Sequence, residues 1–255
     1  MDFRSRLFPE KSIAYGAKNE EREDVMKIVQ AALAALLIAA AALPAAAQRL
    51  PSAAEIAAYA GLHAPAARGD AETVRTLAAR GEKIDARDAH GRTPLMVATH
   101  FGRHEAAKAL IAAGADLAAL DADRYDAVTI ASVANDPEML RILLAAGASA
   151  ALVTSPYDGT ALIASAHLGH AEVVRLLIAA KAPLDHVNNL GWTALIESIV
   201  LGDGGPAHVA CLKALVDAGA NVNIRDPSGT SPLGLARARG YTEMAAILEA
   251  AGAKP

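Results

Sequence analysis

The feature that most constrains this chain is a stop signal that returns at a nearly fixed interval. Leu- and Ala-rich stretches run into Gly81, Gly114, Gly147, Gly219 and Gly252, and Lys181 takes the same slot between the third and fourth of these. The intervals are 33, 33, 34, 38 and 33 residues. A second break recurs inside each interval, at Gly69, Gly102, Gly169, Gly202 and Gly240, with Asn135 in the missing position. Asparagine tolerates a positive φ better than other non-glycine residues, so that exchange is physically coherent. Between the breaks, apolar residues fall at helical spacing: Ala106, Ala107, Leu110 and Ile111 share one face. Thr93 and Pro94 open the helix before it, because proline in a first turn forfeits no intrahelical bond. Each unit is thus helix, turn, helix, stop. Neither helix is long enough to persist alone in water, so a period near 33 predicts hairpins that stack and cover one another's apolar stripes.

The unit openings carry a further pattern. They read GRTPLMVA at Gly91–Ala98, GTALIASA at Gly159–Ala166, GWTALIES at Gly191–Ser198 and GTSPLGLA at Gly229–Ala236. This resembles the opening signature of the ankyrin repeat family, and the resemblance covers roughly residues 60–254. It implies an all-α, ankyrin-type α-solenoid of stacked helix-turn-helix repeats joined by short β-turn or hairpin loops. An irregular capping repeat is expected at about 53–87, then repeats at about 88–120, 121–154, 155–187, 188–225 and 226–255. The family's histidine after Pro-Leu survives only as His63; Met96, Thr129, Ile163, Ile196 and Gly234 replace it elsewhere. Most of the hydrogen bonds that this histidine makes between loops are therefore expected to be missing.

Three local expectations follow from residue chemistry. Ser52 with Glu55 three residues on forms a capping box for a helix starting near Ala53. Pro65 sits where later repeats place Ala98 and Ala131, and is expected to end or kink its helix. The insertion GDGGPAH, Gly202–His208, lengthens its repeat to 38 residues and is expected to be an extended connection rather than a longer helix.

The front of the chain has a different character. Residues 28–47 form an apolar run after Lys27, broken by Pro44 and ending in Ala45-Ala46-Ala47. That is the pattern of a signal peptide over residues 26–47, with cleavage expected before Gln48. The part before Pro44 is shorter than the roughly 20 residues that a membrane anchor needs. Residues 1–25 carry five basic and six acidic side chains, which does not suit a positively charged n-region. Translation is therefore expected to begin at Met26, with residues 1–25 a misassigned, disordered extension. The expected destination is the bacterial periplasm or the exterior, with no membrane insertion after cleavage.

Composition excludes several function classes. The formal charge is −4, so no basic field recruits nucleic acid. The single cysteine, Cys211, allows no intramolecular disulfide and lies in an apolar helix as an inert thiol. His100 with His104, and His167 with His170, suggest metal ligation, but a glycine interrupts each pair and repeats two apart stand too far from one another for one ion. Ser155, Ser165 and Ser198 lack any nucleophile context. Neither an enzyme nor a cofactor is expected. What remains is a surface that binds another protein. The resemblance implies that partners meet the turn tips and the exposed side of the first helices, the concave face. The matching tips are His90, Arg92, Tyr125, Tyr157, Asn189, Leu190, Trp192 and Arg225. The matching helix positions are His100, Phe101, Val133, His167, Leu168, Val200, Leu201 and Arg239. In a chain with 4% aromatic residues, the presence of Phe101, Tyr125, Tyr157 and the single tryptophan in this set matters, because aromatic residues dominate interface hot spots. A homodimer packed through Phe101, Val133, Leu168 and Leu201 is the alternative occupant.

Overall fold

The structure is a computed structural model, and it describes residues 48–255. The expectations of a misassigned extension and a cleaved leader fall on residues 1–47 and lie outside the described residues. The described residues form thirteen α-helices. A short helix, α1 (Ala53–Ala58), comes first. Six hairpins follow: α2 (His63–Arg68) with α3 (Ala71–Ala79), α4 (Pro94–His100) with α5 (His104–Ala112), α6 (Ala127–Val133) with α7 (Pro137–Ala145), α8 (Ala161–His167) with α9 (Ala171–Ala179), α10 (Ala194–Val200) with α11 (Pro206–Asp217), and α12 (Pro232–Ala238) with α13 (Thr242–Ala250). Among the described residues there is no strand, only the isolated bridge between Thr154 and Gly159. None of these helices is long and apolar enough to cross a membrane.

The hairpins pile in chain order. Each first helix packs on the first helix of the next repeat, from α2 to α12, and each second helix on the next second helix, from α3 to α13. Leu110, Leu140, Leu143, Leu177 and Leu212 are fully buried in the second layer, while Leu95, Leu162 and Leu195 fill the first. One contiguous core joins Leu62 to Leu248. Burying a leucine contributes about 1.5–3 kcal/mol, and most of that burial is against a neighbouring repeat.

Local chemistry sets the helix ends. Thr93, Asp126, Thr160, Thr193 and Ser231 each accept a hydrogen bond from the backbone N–H three residues on, so the first helices start on a side-chain cap. Ser52 and Glu55 form the expected capping box. Two non-glycine residues hold break positions in the left-handed region, Asn135 at φ 51° and Lys181 at φ 63°.

Two expectations are corrected. Pro65 neither ends nor kinks its helix. It is the third residue of α2, in the first turn, where the absent N–H would have had no partner. Its effect lies upstream: α2 starts at His63, whereas Pro94 less one 33-residue period is position 61. The insertion also differs from expectation. Helix α11 has 12 residues where the other regular second helices have 9, and the connection before it, residues 201–205, has five where residues 101–103 give three. Three of the five extra residues therefore extend the helix, with Pro206 at its first position. Gly202 is not the left-handed break of this repeat; Gly204, at φ 72°, takes that role. The segment is clamped rather than loose. Asp203 Oδ1 accepts from Gly205 N (2.8 Å) and bonds His208 Nδ1 (2.8 Å), His208 Nε2 reaches the His167 carbonyl (2.9 Å), and the Tyr241 hydroxyl donates to the Gly202 carbonyl (3.0 Å).

Candidate protein-interaction face

The turn tips are built by a recurring carboxylate or amide. Asp88 Oδ1 accepts from the amides of His90 and Arg92, both at 2.9 Å, and Asp121, Asn188 and Asp226 do the same in their own tips. Successive tips are then laced by backbone bonds: Ala122 N to His90 O, Ser155 N to Arg124 O and Asn189 N to Tyr157 O, at 2.9–3.0 Å. The result is a rigid edge along which equivalent side chains stand in register.

One column on that edge, just before the tip residue, reads Arg87, Leu120, Val153, Val187, Arg225. The two arginines close the tips at either end. Arg87 donates to the carbonyls of Gly91 and Leu120, and Arg225 to those of Gly229 (2.8 Å) and Pro255 (2.7 Å). The middle of the column is apolar, and Val153 and Val187 are 40% and 46% exposed.

The sequence-derived positions separate into groups. Asn189 and Arg225 are exposed, and Leu168 and Leu190 are each more than a third exposed. Phe101, Val133, Tyr157, His167, Trp192, Leu201 and Arg239 are half-buried. Phe101, Trp192 and Leu201 rest partly on the core, so each both stiffens the array and shows an edge to solvent. Arg239 donates to the Val200 carbonyl (3.3 Å). His100 is half-buried, and desolvation, with Arg92 adding to it, pushes its pKa down to about 4, so it presents a neutral ring.

Four positions are corrected. Arg92 is 1% exposed: its Nε donates to Asp88 Oδ2 (2.7 Å), its Nη2 to Glu55 and its Nη1 to the Arg49 carbonyl. His90 lies under the same segment, 3.0 Å from Glu55 Oε1. Tyr125 is buried in a small cluster with Met96, Ala119 and Ile130, where desolvation raises its pKa to about 12. Val200 is also buried. For Arg92, His90 and Tyr125 the cause is a contact from another repeat or from the capping segment, which keeps the Arg92 and Tyr125 side chains off the open surface in this arrangement.

Histidines lace repeats together instead of gathering a metal. His63 bonds the Arg92 carbonyl (2.9 Å), His104 the Asp136 carboxylate (2.8 Å), His170 the Ser132 carbonyl (2.9 Å) and His186 the Asp158 carbonyl (2.7 Å), each in an adjacent repeat. Among the described residues no group of three His, Cys, Asp or Glu side chains is placed to hold an ion. Ser165 is fully buried and donates to the Ala161 carbonyl at 2.6 Å. Burial pushes the Cys211 thiol up to about 11, which keeps it protonated.

The family is decided by comparison with known proteins. The profile described as ankyrin repeats (3 copies) matches residues 36–121, 62–154 and 128–226. The chain belongs to the ankyrin repeat family. It is 36% identical to the Escherichia coli (strain K12) ankyrin repeat protein YahD over 189 residues, which is 74% of this chain and 94% of that one. A crystal structure of an ankyrin repeat domain from Acinetobacter baumannii AYE is 44% identical, covers 76% of this chain and 98% of its own, and superposes with a TM-score of 0.73. The mouse protein phosphatase 1 regulatory subunit 27 is 35% identical over 82 residues, 32% of this chain and 50% of that protein. Ankyrin repeats are generally protein–protein interaction modules.

Sequence reading misses part of this face. Val153 and Val187 are not singled out, although both precede a tip in the slot of Arg87 and Arg225. Glu197 is missed too. It is a buried carboxylate that accepts from Asn188 Nδ2 (2.8 Å) and lies 3.5 Å from His167 Nδ1. Its signal was a lone acid inside a first helix that is otherwise apolar but for Ser198.

Proposed function

We propose that this ankyrin array is a non-enzymatic binding module exported to the bacterial periplasm, gripping one protein partner on the fingertip face of its second to fourth regular repeats. One observation carries the reading. Of the large apolar side chains exposed among the described residues, Val153, Leu168, Val187 and Leu190 all fall in one stretch, leaving only Leu50 outside it. Tyr157 lies within that stretch and Trp192 two residues beyond it. Such clustering marks an interaction site where single scattered residues would not. Export rests on the apolar run ending in Ala45-Ala46-Ala47.

Photo-cross-linking from Leu190 in intact cells tests the site, with Ala112 on a second helix as the control. Adducts at Leu190 and none at Ala112 support it; equal adducts at both would remove it. N-terminal sequencing of the protein from the periplasmic fraction tests export and should begin at Gln48. Self-association is the competing reading, favoured by the exposed Leu168. A Leu190 adduct consisting of two copies of this chain would select it.

A further inference from the structure

The first tip is already occupied. Glu55 of α1 places Oε1 2.5 Å from Arg92 Nη2 and 3.0 Å from His90 Nε2, Arg92 Nη1 donates to the Arg49 carbonyl (3.0 Å), and the Tyr59 hydroxyl donates to Asp88 Oδ2 (3.0 Å). Arg92 is 1% exposed beneath this cover, while Trp192, at the same position three tips on, stays half-buried. The contacts with the tip itself are polar, and Pro51, just before the Ser52 cap, is the one buried residue of the covering segment. No residue of α1 is buried, and only Ile56 and Tyr59 touch the core. Its six residues are too few to hold a helix without tertiary support. Behind it lies Gly61 at φ 53°, a position suited to hinging.

Arg92 does not need α1 for charge balance. Its Nε keeps Asp88 Oδ2 at 2.7 Å within the same tip. Departure of α1 would therefore bare a guanidinium edge to solvent and leave no buried charge orphaned. That edge, with His90 beside it, suits a carboxylate. Glu55 is a charged ligand at every ordinary pH, since the Ser52 hydroxyl and amide, and then Arg92, hold its carboxyl at about 2.

We propose that α1 is an internal stand-in for part of the partner: an acidic side chain on the partner displaces Glu55 and pairs with Arg92 and His90. This rests on the fingertip face being the binding face. A tethered segment competes at an effective concentration on the order of millimolar. The displacing carboxylate must therefore come from a partner already anchored at Val187 and Leu190, which makes α1 a gate on engagement of the whole edge.

The test uses a labelled peptide with the sequence of residues 48–60 and the full-length chain, as wild type and as Glu55→Gln. Glutamine retains the capping box, so α1 is not melted by the change itself. The Glu55→Gln chain should bind the peptide at least about tenfold more tightly than wild type does. A peptide carrying glutamine in place of its glutamate should bind neither chain measurably. Equal affinity of both chains, equal binding of both peptides, or no binding to Glu55→Gln would each overturn the proposal. So would unchanged amide exchange across residues 53–59 in Glu55→Gln, because the ion pair would then not be what holds α1 down. No partner takes part in this assay. A failure of the Leu190 cross-link with normal peptide exchange would sink the partner site alone.

Discussion

Asp126 offers the sharpest test of how the repeats are held. It caps α6 at the position where Thr93, Thr160, Thr193 and Ser231 cap the other regular first helices. Its Oδ1 accepts from Thr129 N at 2.8 Å, but Oδ2 is buried with no hydrogen-bond partner among the described residues. The side chain is 1% exposed, and desolvation raises its pKa against the bonds from Thr129. An unsatisfied buried acceptor costs about 1–3 kcal/mol, whereas exchanging an aspartate cap for threonine loses only about a few tenths. Asp126→Thr should therefore stabilise the array by about 1–2 kcal/mol at neutral pH, or about 2–8 °C in Tm for a chain of this size. The sign with pH follows from linkage. A carboxyl whose pKa is raised on folding contributes most below its unfolded value, about 3.9, and that contribution is lost as pH climbs through the raised folded value. The advantage of Asp126→Thr should thus be largest at pH 7 and vanish towards pH 4. Calorimetry of both chains across that range measures it. A variant that is neutral or less stable at pH 7, with a parallel pH profile, would show that Oδ2 is satisfied and refute the reasoning.

Other substitutions address separate parts of the account. Lys181→Gly relieves a left-handed residue at a helix stop and should raise stability by about 0.5–1 kcal/mol in urea titrations; a loss would mean that the Lys181 side chain contributes more than its strain costs. Gly204→Ala sets a Cβ 2.4 Å from the Tyr241 ring at φ 72°, which should cost about 1–3 kcal/mol. An unchanged Tm there would show that Tyr241 swings aside and the insertion is not clamped. Leu190→Asp, on a side chain 38% exposed, should shift stability by less than about 0.5 kcal/mol yet abolish the Tyr157 and Trp192 photo-cross-links; retention of those adducts would move the partner elsewhere.

What could be read from the chain was local and periodic. The stops at Gly114 and Lys181, the threonine caps and the Ser52–Glu55 box each depend on residues within a few positions of one another. The stacking followed because a nine-residue helix such as α9 has nowhere else to bury Val173, Val174 and Leu177. Pro65 was misjudged because its consequence depends on which turn of α2 it occupies, and α2 starts late. The insertion was misjudged because its glycines speak for a loop, while His208 of α11 and Tyr241, from the turn between α12 and α13, settle its shape. Arg92 and Tyr125 look like exposed tip residues, and contacts 25 or more residues away in sequence help to decide otherwise. Arg49 and Glu55 cover the first, and Met96 packs on the second. The face itself was legible in outline, and its apolar centre at Val153 and Val187 was not.

The account depends most on each hairpin being held by its neighbours. Hydrogen exchange on Leu162→Ala, a fully buried change in α8, tests this directly. Protection should fall most in α8 and α9 and next in α6, α7, α10 and α11, with α2 and α13 least affected. Loss confined to α8 and α9, or an equal loss from α2 to α13, would contradict it.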